Sequence, residues 1–361
     1  MRALLTIRPL AGEPFPLVVE EDRFVAPDGP IDRELDTGSW YALPGLADCH
    51  AHLAASDLDG MLSAERPDPP GVARRHAWAQ VEGGVLLVAD KGSRDDLALQ
   101  VLEAPPHGRP ELQMAGRVIA SPGGYYPGFA DEVDEEGLAA ALGRAAGLAS
   151  WVKLIGDWPR RGVGTVPNFS EEGLAAAVRV AHATGRRVAI HAAARDTPGM
   201  AVRAGVDSIE HGLFLTGDDL AALGARGGAW VPTIANMERV RDMLGVDSSG
   251  GRLIAEGLEN VRELLGGAPA AGAAVLAGSD LCLPHGKVAR EASKLVEYGL
   301  SPERALEAVT TAAYHYLGVG YGFRPGLPAD AVFVEGDPRE DVTRLESPAM
   351  VMRLGRVVAG R

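Results

Sequence analysis

LPGLADCHAHL, residues 43 to 53, puts an apolar lead and a Pro-Gly turn ahead of a short strand that ends in two histidines one residue apart. Side chains alternate with a period of two along a strand, so His50 and His52 fall on one face. Two imidazoles on one face are part of a metal site, or else one is a hydrogen-bonded core residue and the other a loop residue. Ligands elsewhere in the chain decide between these readings.

The chain on either side of this stretch differs in pattern. Residues 1 to 42 hold short alternating segments, ALLTI, FPLVVEEDRFV and ELDTGSWYAL, broken by Pro and Gly, and these read as antiparallel strands. AVFVEG, AMVMRLG and RVVAG, within residues 331 to 361, read the same way, so the two chain ends are expected to pair into one small β unit. Between the ends, apolar runs alternate with Ala- and Leu-rich helical stretches, the pattern of repeated β–α units around a parallel sheet. Eight strand candidates follow: LADCHAH ending at His52, then 85–90, 112–120, 151–157, 187–192, 208–212, 229–235 and 273–280. Ser170-Glu171-Glu172 opens a helix that closes at Gly185, and Ser301-Pro302-Glu303 opens another, each with a capping hydroxyl and early acids. Eight such units predict an α/β fold of the (β/α)8 TIM barrel type, with its active site at the C-terminal ends of the strands.

Composition narrows the class. Hydrophobic residues make up 46% and charged residues 23% of 361, an ordinary globular balance. A net charge of −14 repels a nucleic-acid backbone and an anionic membrane surface, so neither is an expected partner. The first residues, MRALLTIRPLAGEPFP, have an apolar run interrupted by Arg8 and no signal-peptide core, and no run of about 18 apolar residues follows; the expected location is the cytoplasm. Cys49 and Cys282 are too few for a disulfide framework and read as small core residues. Of 35 basic residues only Lys91, Lys153, Lys287 and Lys294 are lysines, so a lysine here is a distinctive choice.

The further ligands exist. His191 ends the fifth strand candidate, His211 the sixth and Asp280 the eighth, so with His50 and His52 five donors face one barrel mouth. The fourth strand candidate adds Lys153 inside an apolar run, where a buried ammonium needs a partner, a lowered pKa or a chemical modification. A neutral amine can be carbamylated by carbon dioxide, and the resulting carboxylate could bridge two divalent cations. The alternative is a lysine that reaches solvent or pairs with Asp157.

LPGLADCHAHL, WVKLIGD, AHATGRRVAIHAAARDTPGMAVRAGVDSIEHG, VPT at 231–233, AGSD at 277–280, LSPERALEAVT and PGLPADAVFVEGDP together resemble the amidohydrolase superfamily, in its imidazolonepropionase-like and Xaa-Pro or Xaa-Arg dipeptidase-like branch. The resemblance spans nearly the whole chain. It implies a small β-sandwich domain built from both chain termini, residues 1–43 plus 325–361, around a barrel of residues 44–324. It implies that His50, His52 and Asp280 hold the more buried of two divalent metal ions, that His191 and His211 hold the other, and that carboxylated Lys153 bridges them. Zinc is the first expectation, with manganese, iron(II) or cobalt as alternatives. A metal-bridging hydroxide would attack the substrate, and Asp280 would pass its proton to the leaving group. The implied reaction is hydrolysis of an amide or cyclic-amide C–N bond in a small molecule: an N-acyl amino acid, a dipeptide or a ring amide. Lactone or phosphoester hydrolysis at the same centre is the alternative, ahead of a deaminase or a non-catalytic scaffold. Deaminase relatives carry a glutamate three residues after the fifth-strand histidine, where this chain has Ala194. Relatives often assemble, so a homo-oligomer is also an expectation.

The chain departs from its relatives in places. Peptidase-like relatives have Gly-Gly-His after the third strand, whereas SPGGYYPG puts Tyr125 at that histidine's position; a phenol still donates to a substrate oxygen. VADKGS replaces an Arg-Asp-Leu-Gly-Gly, and its Lys91 reads as a substrate contact or a loop charge. Arg195 is placed to bind a substrate carboxylate, or else is a surface arginine at a helix start. His285, in a Pro-His-Gly shared with relatives, is a candidate substrate contact. His76, His107, His182 and His315 lack ligand neighbours and read as structural or exposed.

Overall fold

The computed structural model describes residues 1–55 and 71–360. Five strands lie within residues 1–43: β1 (Arg2–Ile7), β2 (Phe15–Glu20), β3 (Arg23–Val25), β4 (Arg33–Leu35) and β5 (Tyr41–Leu43). β1, β2 and β3 pair antiparallel, as their alternation predicts. β4 instead lies parallel to β1, because the Pro- and Gly-containing connection before it carries the chain back to the start of β1, where the Asp32 N–H donates to Arg2 O.

Past Pro44-Gly45 several strands are buried along their whole length, as parallel strands covered on both faces are. β6 (Leu46–Ala51), β7 (Val85–Asp90) and β8 (Glu111–Met114) form one parallel ladder. After them come β9 (Val118–Ala120), β10 (Ala130–Glu132), β11 (Trp151–Ile155), a hairpin of β12 (Asp157–Arg160) and β13 (Gly164–Pro167), then β14 (Arg187–Ala192), β15 (Ser208–His211), β16 (Ala229–Val231) and β17 (Ala274–Val275). Apart from the hairpin, these make a second parallel ladder in the order β10-β9-β11-β14-β15-β16-β17.

The two ladders make up the wall of a TIM barrel, and single hydrogen bonds join them at both seams. On one side the Cys49 N–H donates to Ala277 O and the Asp280 N–H to His50 O, each at 2.8 Å. On the other the Ser150 N–H donates to Met114 O at 3.0 Å. Residues 112–120, read as one strand in the sequence, are two: β8 pairs with β7, Gly116 turns the chain at φ +67°, and β9 pairs with β11. The last two strand candidates are also shorter than expected. β16 stops at Val231 because Pro232 has no N–H to give a ladder and the helix Ile234–Leu244 begins two residues later. Beyond β17 the chain passes so near β6 that a Cβ on Gly278 would lie 2.6 Å from the Cβ of His50, a position only glycine can fill.

The helices follow the capping signals. Ser170 accepts the Gly173 N–H and starts Glu171–Ala183, and Ser301 accepts the Arg304 N–H and starts Pro302–Ala308. Their apolar faces join the barrel core through Leu174, Val178, Ala305 and Leu306, against Leu46, Leu154 and Ile190 from the strands. The chain ends with β18 (Ala331–Val334), β19 (Met350–Arg353) and β20 (Arg356–Gly360), and β5 completes their sheet by pairing antiparallel with β18. This sheet faces β1–β4 across Leu5, Ile7, Val19, Phe24, Phe333 and Met352, forming the β-sandwich. No described helix is long and apolar enough to cross a membrane.

Candidate metal centre

Three strand ends and the segment beyond β17 bring their donors together; Asp280, read as the end of the eighth strand, lies past it because β17 stops at Val275. His50 Nε2 and His52 Nε2 lie 3.3 and 3.5 Å from Asp280 Oδ1, and all three side chains are buried. One ligand atom from each falls within 4.8 Å of the others, close enough for one ion to be shared by the three. His211 stands beside them, its Nδ1 3.8 Å from Asp280 Oδ2 and its ring centre 5.4 Å from that of His50. His191 is next in line, 4.5 Å from His211 ring to ring, and is the least buried of the four histidines.

The remaining imidazole nitrogens are already engaged, which decides the nitrogens that face inward. His52 Nδ1 lies 2.8 Å from Gly92 O, an acceptor only, so Nδ1 carries the proton and Nε2 the lone pair. Glu210 Oε2 lies 2.6 Å from His50 Nδ1 outside hydrogen-bond geometry, and its negative charge favours a proton on that nitrogen. Thr233 Oγ1 donates to Pro232 O and sits 2.6 Å from His211 Nδ1, so it accepts there and His211 Nε2 is left free. Asp157 approaches His191 Nε2 at 3.5 Å, while its other oxygen accepts the Ala193 and Ala194 N–H groups at 2.9 Å. Asn236 Nδ2 donates to Asp280 Oδ2 at 2.6 Å and fixes the carboxylate.

The backbone is held out of its easy regions at the same points. His211, Thr233, Asp280 and Leu281 have φ of 65°, 48°, 41° and 61°, in the left-handed region that disfavours side chains. Such conformations cost about 1–3 kcal/mol each and persist where surrounding structure enforces them.

Electrostatics match this donor set. Burial pushes His50 well below the ordinary imidazole range and His211 to about 3, so both are neutral, the form that ligates. Burial alone would raise the Asp280 carboxyl, but His50, His52 and His211 hold it well below the usual carboxylate range. Burial lowers Lys153 to about 8 against the opposing pull of Glu210. Its Nζ has no hydrogen-bond partner among the described residues, and the expected alternative, a pair with Asp157, does not form because Asp157 is turned to His191 and the two backbone N–H groups. An orphaned buried amine beside imidazole and carboxylate donors fits a divalent centre, since an anion formed on that amine would remove a costly cation and add oxygen ligands.

The three candidate substrate contacts separate. Tyr125 lies at the mouth in an aromatic group with Tyr126, Phe129 and Trp158, and this group meets the donors where Trp158 stands 5.8 Å from His191 and Phe129 6.4 Å from His52. Arg195 is not brought to the donors: it is exposed, doubly paired with Glu256 and stacked 5.0 Å over Phe214. His285 stacks 4.1 Å from His76 and reaches Ala55 O at 3.0 Å, where it braces the start of the loop after β6.

Sequence reading did not find the residues behind the donors. Lys91 is neither a loop charge nor at the surface: it is 3% exposed and pairs with Glu210 Oε1 at 3.0 Å. The signals for this pair were the scarcity of lysine and a carboxylate in the middle of the apolar strand SIEH. Asn236 and Thr233 gave no such signal, because they precede or enter a helix whose start depends on a contact from far along the chain: Glu291 accepts the N–H groups of Ile234 and Ala235 at 2.6 and 3.0 Å. Cys49 is core, and Cys282 donates its thiol to Ala235 O.

Comparison with known proteins bears on the whole arrangement. The profile of a family described as "Amidohydrolase family" matches residues 41–358. An uncharacterized protein of Mycobacterium tuberculosis is 35% identical over 340 residues, 88% of this chain and 85% of that protein. An ochratoxinase of Aspergillus niger is 25% identical over 357 residues, 86% of this chain and 73% of its own. In fold, the chain is similar to a crystal structure of a Xaa-Pro dipeptidase with methionine bound in the active site, with a TM-score of 0.82 over 99% of both chains at 22% identity.

Proposed function

Because this chain belongs to the amidohydrolase family, we propose that it is a metal-dependent hydrolase that cleaves an amide C–N bond in a small molecule. The observation that carries this reading is the convergence of His50, His52 and Asp280 within 4.8 Å beside a buried lysine whose Nζ has no hydrogen-bond partner among the described residues. In this reading His50, His52 and Asp280 hold one divalent ion, His191 and His211 a second, and carboxylated Lys153 lies between. Zinc is the expected metal. When bound, the ions act as Lewis acids that make hydroxide available near neutral pH and polarise the scissile carbonyl.

The residues themselves supply the rest. Lys153 has a lowered pKa, so part of it is a free amine at neutral pH; that nitrogen attacks carbon dioxide, an N–C bond forms, a proton leaves and a carboxylate results. Glu210, Gly92 and Thr233 hold their histidines in the ligating tautomer. Asn236 keeps one Asp280 oxygen engaged, which leaves Oδ1 to take the nucleophile's proton and deliver it to the departing nitrogen. Ala194 offers no side-chain acid, and this favours hydrolysis of an amide over deamination. The dipeptidase and the ochratoxinase named above support the same class of bond.

The test is metal analysis of purified protein, followed by a turnover panel of N-acyl amino acids, dipeptides, cyclic imides, lactones and phosphoesters. About two divalent ions per chain and turnover of an amide are expected. Absence of bound metal, with no activity after addition of zinc, manganese or cobalt, overturns the reading; turnover of lactones or phosphoesters alone transfers it to the other electrophile.

A further inference from the structure

The hairpin β12–β13 rises from the end of the strand that carries Lys153, and its first strand alternates in a telling way. Asp157 is buried, Trp158 and Arg160 are half-buried, and Pro159 between them is exposed. Trp158 and Arg160 therefore share the face turned toward the mouth. Trp158 lies 5.8 Å from His191 and within 4.7 Å of both Tyr125 and Tyr126, ring centre to ring centre. Arg160 stands one pleat, roughly 7 Å, farther from the metal donors along the same face.

The guanidinium of Arg160 is incompletely used. Nη2 donates to Ser121 Oγ at 2.6 Å and to Asn168 Oδ1 at 3.1 Å, which places it against the loop that presents Tyr125. Nε is buried and donates to nothing described. Among the described residues no carboxylate lies within ion-pair distance of it, although the chain as a whole carries a net charge of −14. Arg195 and Arg203, the exposed arginines on the next segment, each have a glutamate. A half-buried cation without a counter-ion among the described residues, on the same face as an aromatic wall that reaches His191, is arranged for an anion that arrives with the substrate.

We propose that Arg160 anchors the free carboxylate of the leaving amino acid, and that the wall of Trp158, Tyr125 and Tyr126 takes that residue's apolar or aromatic side chain. The inference rests on the amide-hydrolase reading above and narrows its substrate to N-acyl derivatives of bulky apolar α-amino acids. The arginine side chain is long enough to bring its charge back from that pleat: Nη2 reaches Asn168, which donates to Ile155 O at the end of the strand that carries Lys153. Arg160 also braces Ser121 and Asn168, so its test must separate anchoring from bracing.

The probes are N-acetyl-L-phenylalanine and its primary amide, which differ only in the carboxylate, with 3-phenylpropanoate and 3-phenylpropanamide as pairs that cannot be hydrolysed. The metal-loaded protein should favour the free acid by about ten- to a hundredfold, through KM. Arg160→Gln should abolish that preference while kcat/KM for the primary amide stays within about threefold, and Arg160→Lys should restore part of it. Equal losses on both substrates, or a preference that survives in Arg160→Gln, overturns the proposal. If neither amide is hydrolysed, the hydrolase reading fails for this class and calorimetric binding decides the inference alone. Selective weakening of 3-phenylpropanoate in Arg160→Gln upholds the anchor, and unchanged binding removes it.

Discussion

The carboxylate of Glu210 stands between two side chains of opposite use, with one oxygen 2.6 Å from His50 Nδ1 and the other 3.0 Å from Lys91 Nζ. Burial would push this carboxyl up, but Lys91 and Lys153 pull it down below the usual range, so it stays ionised in the barrel interior. Ser208 Oγ adds a hydrogen bond at 2.6 Å. A charge there polarises His50 and favours a proton on its Nδ1, although Glu210 lies behind the proposed ligand.

Glu210→Gln should therefore lower metal affinity by about 10–100-fold without removing any proposed ligand. The amide can present its NH2 group to His50 Nδ1 and so favour the wrong tautomer, and it leaves Lys91 buried without a counter-charge. Competition with a chelator, read by metal analysis, checks this. Affinity equal to that of the wild type would show that His50 is oriented by packing alone.

Lys153→Ala should remove most turnover and about one metal equivalent, because the variant loses both the anionic bridge and the amine that forms it. Short carboxylic acids such as acetate or propionate should restore part of each by entering the vacated volume. Both metals and full turnover in the unrescued variant would rule out a bridging role.

Glu291 gives a pH dependence that does not involve metal. Burial pushes its carboxyl from 4.5 up to about 8, against the two N–H groups it accepts from the start of the helix Ile234–Leu244. A folded-state pKa raised above the unfolded value means that the folded form holds the extra proton. Its contribution is fully present below pH 4.5 and is lost as the pH rises through about 8. In the metal-free protein, thermal stability relative to Glu291→Gln should fall between those limits, by on the order of a few kcal/mol. Parallel stability curves for the two proteins across that range would count against it.

Much of the architecture was legible because hydrophobic periodicity is local. The sandwich strands alternate, the barrel strands are continuously apolar, and Ser170 and Ser301 announce their helices. The strand run 112–120 misled because its central bend depends on which neighbour each half pairs with, and no stretch of nine residues encodes that. Lys91 misled because a charge after a strand normally faces water; its burial follows from Glu210, which is 119 positions away in sequence and adjacent in space.

By itself the sequence pointed to five histidine and aspartate donors at or beyond strand ends and one lysine inside a strand, since strand period and barrel polarity together direct such residues to one mouth. Only the tertiary structure decided which nitrogen of His50, His52 and His211 faces inward, that among the described residues Lys153 has no partner and Arg195 has one, and that Arg160 has no carboxylate there beside Trp158. Those properties depend on contacts between segments tens to hundreds of residues apart. Hydrogen-bond geometry and desolvation set them at the point of contact, and a local pattern carries no record of either.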